Sequence, residues 1–399
     1  MNRRQMLQAA GISAAAPIAA GLTSASAETP KKAGSVDMST PQRKMAAKRL
    51  TGLLNLLLPT FMPDGKTLDE DAIRHDVRAS IAQGFTGTMP LINWTSPADP
   101  NWEKLHRIIK DEAGDKLALH GVIAATRVED DLALIKRLED VGAEMILFAS
   151  RFSSNISNDE LYGEYKKRLE ATDLSFILYC ALNKGRNFPQ LGPAGQPLEV
   201  FDRVADHGNV VAAKISQPVT LTSTVQICDA VADRLLVAPV NLDYVPLLAR
   251  HYHMQWSGQW NGEAVQTPAN QLGNQLLNAC AEKDFKTADK VATQLQPSLD
   301  HFFKVQANSI RLGGHPWQHN RYYAWLSGGN GGLMPVDPHS PPESIPVLTA
   351  ADRAAMRAAY QASGLTPTDA PEEQFIVGRA AWARGVRPAD LAELPRYES

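Results

Sequence analysis

Eight short apolar runs, separated by helix-like segments, constrain the fold of this chain more than any other feature. Each run has the length and residue types of a buried strand. The runs lie at 53–58, 87–92, 117–123, 145–149, 175–179, 210–214, 235–238 and 254–257. Helical patterns alternate with them at 69–83, 101–113, 127–141, 158–172, 197–207, 221–232 and 243–251. This alternation predicts an α/β fold, and eight strands over about 200–250 residues favour a (β/α)8 TIM barrel.

A doubly wound open sheet is the competing architecture for such an alternation. That fold commonly carries a Gly-rich phosphate turn after its first strand, whereas residues 59–63 here read Pro-Thr-Phe-Met-Pro. Beyond the eighth run the pattern becomes helical at 268–283, 285–306 and 350–363, with a Gly/Pro-rich stretch before the last helix. We therefore expect a barrel over 47–284, a C-terminal helical region over 285–365 and an extension over 366–399.

The first 27 residues have the three parts of an export signal. Arg3-Arg4 precedes a mildly apolar, Ala-rich stretch, and Ala25-Ser26-Ala27 forms an A-x-A cleavage site. This order predicts a Tat signal peptide over 1–27 and a periplasmic location, with a Sec signal or a disordered tail as alternatives. Residues 28–46 are polar, with Pro30, Lys31-Lys32, Gly34 and Ser35, which predicts a disordered linker.

Composition excludes several classes of function. The formal net charge is −3 over 399 residues and no basic block occurs, so neither nucleic acid nor a membrane surface is expected as a partner. The three cysteines are widely spaced, which fits neither a disulfide framework nor a zinc pattern. His251 and His253, or His315 and His319, could be metal ligands, but no matching carboxylates accompany them, and Pro316 argues against a regular helix at the second pair. We expect no metal and no cofactor.

Two reactive side chains end neighbouring predicted strands. Lys214 follows Val-Val-Ala-Ala, and Tyr179 follows Phe-Ile-Leu. The carboxyl ends of barrel strands border the active site, so both side chains are expected there. A lysine amine approached through apolar residues loses its proton easily and can attack a ketone, while a tyrosine hydroxyl can transfer protons. We predict that both are catalytic; a lysine reaching solvent and a packed tyrosine are the alternatives.

From Arg49 to Leu365 the chain resembles the dihydrodipicolinate synthase / N-acetylneuraminate lyase family. The similar segments are Leu-Pro-Thr-Phe at 58–61 with Asp-Gly at 64–65, residues 161–179, Asn-Val-Val-Ala-Ala-Lys at 209–214, and Pro-Val-Leu-Thr at 346–349 with the helix after it. The resemblance implies a (β/α)8 barrel, a homo-oligomer (dimer or tetramer), and lyase or aldolase chemistry on a 2-oxo acid or sugar acid. It also implies that Lys214 forms the imine and that Tyr179 relays protons.

The chain departs from the family where the substrate is held. In place of the family's Gly-Thr-Thr-Gly-Glu run, residues 92–96 read Ile-Asn-Trp-Thr-Ser, where Asn93 and Thr95 can still donate hydrogen bonds. Residues 151–153 read Arg-Phe-Ser instead of Pro-Tyr-Tyr, so one relay hydroxyl is missing. Cations near the predicted barrel mouth could bind the substrate carboxylate instead. The predicted substrate-binding residues are Asn93, Thr95, Arg151, Lys184, Arg186 and Ser257.

Two functional interpretations follow from these residues. The first is an exported lyase or aldolase, or a hydratase that uses the same imine, and the presence of both Lys214 and Tyr179 favours it. The second is a catalytically degenerate barrel that binds a small acid without converting it, which the altered carboxylate-binding residues favour. Synthesis of dihydrodipicolinate itself is not expected, because a periplasmic location does not suit lysine biosynthesis.

Overall fold

Parallel strands and helices alternate along the chain as the sequence predicts. The protein is described from a computed structural model, which covers residues 36–91, 96–153, 155–181, 191, 194–216, 220–258, 261–311, 315–332 and 347–391. The strands are β1 Gly52–Leu57, β2 Gly87–Pro90, β3 Ala118–Ile123, β4 Met145–Phe148, β5 Ser175–Ala181, β6 Val210–Ser216, β7 Leu236–Pro239 and β8 Trp256–Gly258. They form one parallel sheet in the order β7-β6-β5-β4-β3-β2-β1-β8.

The sheet closes between its two outer strands, β7 and β8, through side chains of β8. Trp256 Nε1 donates a hydrogen bond to the carbonyl of Leu236 at 3.2 Å, and Ser257 Oγ donates to that of Pro239 at 2.6 Å. Eight parallel strands thus form a nearly closed barrel, and the predicted (β/α)8 TIM barrel is confirmed.

Helices follow the strands and cover the outside of the barrel. They are α1 Pro41–Arg49, α2 Glu70–Ala82, α3 Asn101–Ala113, α4 Val128–Asp140, α5 Asn158–Leu169, α6 Leu198–Val204, α7 Leu221–Val231 and α8 Val245–Leu248. Asp69, Ser157 and Thr220 cap the first turns of α2, α5 and α7 by accepting backbone hydrogen bonds, as short polar side chains do at helix starts. None of the described helices is long and apolar enough to span a membrane.

Helix α1 begins inside the segment predicted to be a disordered linker, so that prediction is wrong for residues 41–46. Ala46 and Leu50 pack in the same apolar cluster as Leu54 and Met145 of the barrel strands. Arg43 is only 4% exposed, because its guanidinium donates hydrogen bonds to backbone carbonyls that include those of Ala205 and Val210. Arg43 is thus buried because it satisfies backbone carbonyls, and a residue buried in this way adds nothing to the apolar pattern that predicts a helix.

The C-terminal region forms further helices: α9 Leu272–Ala281, α10 Phe285–Arg311, α11 Trp317–Leu326, α12 Ala350–Ala362, α13 Glu372–Val377 and α14 Arg379–Ala383. Helix α11 contains His319 but begins after Pro316, so His315 and His319 do not share one regular helix, as the proline predicts. Pro316 occupies the N-cap position, just before the first helical residue, where its missing N–H breaks no intrahelical hydrogen bond. Arg321 anchors α11 to the barrel by donating to the carbonyls of Leu58 and Pro59.

Candidate active site

Lys214 lies in the interior of the barrel, on β6. Side chains alternate along a strand, so Ala212 and Lys214 share one face, and Ala212 belongs to the interior cluster that also contains Met89, Leu147 and Ile177. The lysine side chain is only 4% exposed. Burial lowers the pKa of its amine to about 7, because removal from water penalises the charged form. A substantial fraction of the amine is therefore in its neutral, nucleophilic form near neutral pH.

Tyr179 is the direct neighbour of Lys214 across the β5–β6 ladder. The two residues are register partners, and the lysine Nζ lies 5.4 Å from the centre of the tyrosine ring. Burial raises the pKa of the Tyr179 hydroxyl, so this group stays protonated at neutral pH and is able to donate a proton. The structure brings these two sequence-predicted residues together in one interior site.

Ser216 is a third residue of this site that the sequence interpretation missed. It lies two positions after Lys214 on the same face of β6, is 5% exposed and partners Ala181 in the ladder. A hydrogen bond from Ser216 to Tyr179 opposes the upward shift of the tyrosine pKa. The two-residue spacing from Lys214 is the signal that could have found it, since the predicted strand ended at residue 214.

A buried histidine, His120, occupies the barrel interior on β3. Its side chain is fully buried, and an added Cβ at Gly87 would lie 3.0 Å from its Nε2, so glycine leaves space for the ring. Burial, reinforced by the charges of Arg49 and Lys214, lowers the pKa of His120 to about 3. The ring is therefore neutral at physiological pH and contributes no positive charge to the site.

Arg151 follows β4, as predicted, and its side chain is exposed. Its backbone N–H donates to the carbonyl of Ala125, and a buried ion pair holds the residue before it in place. Asp131 Oδ2 accepts from Arg168 Nε at 2.7 Å and from Ser150 Oγ at 2.6 Å. No carboxylate among the described residues lies within ion-pair distance of Arg151. Its guanidinium is thus available to an anionic ligand near the ends of the strands.

Ser257 lies on β8. It partners Leu53, whose side chain belongs to the outer core cluster rather than to the barrel interior. Its hydroxyl is fully buried and donates to the carbonyl of Pro239. The hydroxyl thus joins β8 to β7, and the substrate-binding role of Ser257 stays a prediction.

The other predicted substrate-binding residues, Asn93, Thr95, Lys184 and Arg186, lie outside the described residues. Within the described ranges, no three His, Cys, Asp or Glu side chains are arranged to hold a metal ion. The chemistry that this part of the chain offers is that of a buried amine beside a partly buried phenol.

Known sequences of one family resemble this chain over the barrel region. Residues 49–239 match the model of the Dihydrodipicolinate synthetase family. A 4-hydroxy-tetrahydrodipicolinate synthase of Chlorobium phaeovibrioides is 28% identical over 179 residues, which cover 43% of this chain and 56% of the relative. An uncharacterized DapA-like lyase of Pyrobaculum arsenaticum is 28% identical over 176 residues, or 42% of this chain and 54% of the relative. The alignments thus span little more than half of these two relatives.

Solved structures resemble the chain over a longer range. The dihydrodipicolinate synthase of Oceanobacillus iheyensis superposes with a TM-score of 0.60 at 14% identity and covers 81% of this chain and 99% of its own. The chloride-inhibited dihydrodipicolinate synthase of Acinetobacter baumannii, in complex with pyruvate, superposes with a TM-score of 0.58 at 17% identity and covers 79% and 99%. At such identities the likeness shows a shared fold.

Proposed function

The chain belongs to the dihydrodipicolinate synthetase family, and from this premise we propose that it is a class I lyase or aldolase that forms an imine between Lys214 and a 2-oxo acid or sugar acid. The observation that carries the proposal is the buried Lys214 beside Tyr179 inside the barrel. The pyruvate complex of the Acinetobacter baumannii relative supports a 2-oxo acid as the substrate class. The imine needs no cofactor, because the protonated C=N group itself serves as the electron sink.

The proposed reaction begins with the neutral Lys214 amine, which attacks the ketone carbon of the substrate. The N–C bond that forms gives a carbinolamine, and the oxygen leaves as water when Tyr179 supplies a proton. The resulting iminium becomes an enamine by accepting the electron pair of the carbon–carbon bond that breaks, while the Tyr179 phenolate takes the hydroxyl proton of the departing fragment, which leaves as an aldehyde. Protonation of the enamine and attack of water on the imine then release the product and restore the Lys214 amine. In a hydratase variant, the same imine would instead promote addition or loss of water. A phenol that stays protonated at neutral pH suits this donor role.

We assign Arg151 to the substrate carboxylate. Its exposed guanidinium follows β4, and a bidentate pair with a carboxylate is the geometry that arginine favours. Replacement by alanine is expected to weaken binding of the acid by about 1.5–3 kcal/mol, the value of a hydrogen bond to a charged group. Unchanged binding in Arg151→Ala would mean that another donor, such as Asn93, Thr95, Lys184 or Arg186, binds the carboxylate.

Reductive trapping tests the imine directly. Incubation of the protein with a panel of 2-oxo acids and borohydride should give a permanent mass increase that maps to Lys214. Lys214→Ala should abolish both the adduct and turnover, whereas Tyr179→Phe should keep some adduct and lose most of its turnover. Lys116→Ala, which removes an exposed lysine, is the matched control and should behave like the parent protein.

Two outcomes would reject or redirect the proposal. Full activity in Lys214→Ala would exclude the imine mechanism. Binding of a 2-oxo acid without adduct or turnover would instead support a barrel that binds a small acid and does not convert it, the second interpretation of the sequence.

We further propose that the protein acts in the periplasm as a homo-oligomer, a dimer or tetramer. The twin arginine at 3–4 and the A-x-A site at 25–27 support Tat export. Replacing both arginines by lysine should leave the precursor in the cytoplasm, and normal export of that variant through Sec would contradict the proposal. Light scattering of the mature protein measures the oligomeric state, and a monomer would contradict that part.

A further inference from the structure

A polar cavity lies on the outer side of β1, away from the barrel interior. It lies between β1, helices α2 and α11 and the short turn after β8, and its volume is about 30 Å³, room for a water molecule or a small ion. Its polar lining consists of Asn55, Asp76, Ser80, Gln83, Asn320, Arg321 and Glu263. Apolar side chains normally fill the space between the strands and helices of a TIM barrel. A polar lining at this place therefore indicates a bound polar species.

A chain of hydrogen bonds fixes the orientation of Asn55 in this cavity. Ser80 Oγ donates its only proton to the carbonyl of Asp76 at 2.7 Å, so it must accept from Asn55 Nδ2 at 2.8 Å. The Asn55 amide also stabilises the Glu263 carboxylate through a hydrogen bond. The carbonyl oxygen of Asn55 is consequently left without a donor, although the residue is only 5% exposed.

Gln83 provides a second buried acceptor at the same cavity. Its residue is 3% exposed, and its Oε1 has no hydrogen-bond partner in the described part of the chain. Leaving a buried oxygen without a donor costs about 1–3 kcal/mol. Two such oxygens, together with the Glu263 carboxylate, call for an occupant that is positively charged or donates hydrogen bonds.

The charges around the cavity favour a single positive charge. Its lining carries the carboxylates of Asp76 and Glu263 against the guanidinium of Arg321, which leaves a net charge of −1. Asp76 is already engaged, because it accepts from Arg321 Nη1 at 3.1 Å and from the backbone N–H of Asn330 at 2.6 Å. Glu263 is therefore the carboxylate available to a ligand. One carboxylate suits a divalent ion poorly, because calcium and magnesium sites take more oxygen ligands in stricter arrangements.

We propose that this cavity is a binding site for a monovalent cation, potassium or ammonium, with the Glu263 carboxylate and the amide oxygens of Asn55 and Gln83 as ligands. The site is separate from Lys214, since Asn55 lies on the face of β1 opposite to Leu54, which belongs to the interior cluster. Its occupancy does not depend on the imine chemistry proposed above.

Protons compete with the cation at Glu263. Burial, helped by the charge of Asp76, raises the pKa of Glu263 to about 7. The other groups that face this pair are Arg321 on α11, His75 on α2, Arg379 on α14 and Tyr360 on α12. Cation binding needs the ionised carboxylate, so acidification is expected to weaken binding of the cation.

Thermal unfolding of the full chain tests the site. At about pH 8 and an ionic strength of about 0.1 M, KCl or NH4Cl should raise the melting temperature by at least about 3 °C above choline chloride. The rise should saturate with concentration and become smaller at about pH 5.5. Glu263→Gln should remove it, whereas Glu282→Gln, which changes an exposed glutamate, should retain it.

A crystal soaked with thallium(I), a heavy analogue of potassium, adds a positional readout. An anomalous peak between Glu263, Asn55 and Gln83 would support the site. Equal melting temperatures in potassium, ammonium and choline salts, with no thallium in the cavity, would show that water fills it and would overturn the proposal. Neither result depends on whether Lys214 forms an imine.

Discussion

The inner and outer sides of the barrel wall each hold one buried group whose pKa lies close to 7, and the two groups have opposite charges. Burial lowers the pKa of Lys214 on the inner side to about 7 and raises that of Glu263 behind β1 to about 7. The same desolvation therefore favours the neutral amine and the neutral acid. What distinguishes them is their surroundings: Lys214 has the Tyr179 phenol beside it, while Glu263 shares a cavity with the amide groups of Asn55 and Gln83.

This difference shows how one physical effect can serve two purposes. An amine that is easily deprotonated becomes a nucleophile, provided that a proton donor is nearby. A carboxylic acid that is kept protonated by its surroundings becomes a place where a cation can replace the proton. Both groups lower the free energy of unfolding at neutral pH, and proteins keep such destabilising groups where a functional site requires them. Unfolding free energies of single variants can therefore distinguish the contribution of Lys214 from that of Glu263.

The largest effect is expected for Lys214→Met, which replaces the amine by an apolar group of similar length. The pKa of Lys214 is lower in the folded than in the unfolded protein, so the lysine destabilises the fold fully below pH 7 and less as the pH rises toward 10.5. The fall of the pKa from 10.5 to about 7 corresponds to a destabilisation of about 5 kcal/mol. Urea unfolding should therefore show a variant that is more stable by up to that amount at pH 7 and below, with a gain that shrinks in alkali.

An exposed lysine provides the control for this measurement. Lys116→Met should change stability by less than about 0.5 kcal/mol at every pH, because the group is solvated in both states. If Lys214→Met instead lost stability equally at all pH values, the amine would not be desolvated, and the two sides of the wall would not be comparable.

Asp131 is as deeply buried as Lys214, but its carboxylate is paired with Arg168 and accepts a hydrogen bond from Ser150. Asp131→Ala leaves the guanidinium of Arg168, which is 1% exposed, with only the more distant Glu164 carboxylate at 3.7 Å, and breaking a buried pair costs up to about 3–5 kcal/mol. The matched control is Asp159→Ala, because Asp159 is 89% exposed in its pair with Arg203 and should cost less than about 1 kcal/mol. Equal losses of unfolding free energy in both variants would show that the Asp131 pair is hydrated.

Much of the barrel could be predicted from the sequence because its strands are continuous apolar runs. Strand β6, for example, was predicted at 210–214 and extends from Val210 to Ser216. Helix α11 was missed because nearly all of its side chains, polar and apolar, are buried, so no amphipathic period marks it. Helix α1 was missed for a related reason: its buried Arg43 is held by backbone carbonyls and reads as a solvent-exposed residue.

The residues of the candidate site could be predicted only where a reactive residue type stands at the end of an apolar strand. Lys214 and Tyr179 end apolar strands, and their types carry the chemistry, so the structure brings together what the sequence suggested. Ser257 also belongs to a strand, but the face that it presents depends on register, which the sequence pattern did not fix. Asn55 is the one polar residue among the leucines of β1, and it is the feature of the sequence from which a polar cavity outside the barrel could have been predicted.

The smallest of these stability effects is expected for Glu263→Gln, measured in choline buffer without potassium or ammonium. The pKa of Glu263 is raised from 4.5 to about 7 on folding, so its favourable contribution is complete below pH 4.5 and is lost as the pH rises through 7. The parent protein should therefore lose about 3 kcal/mol relative to the variant between these limits. Urea unfolding at pH values from 4.5 to 8 measures the difference, and Glu282→Gln should show none. A difference that does not change with pH would mean that Glu263 is hydrated, and the contrast with Lys214 would then be lost.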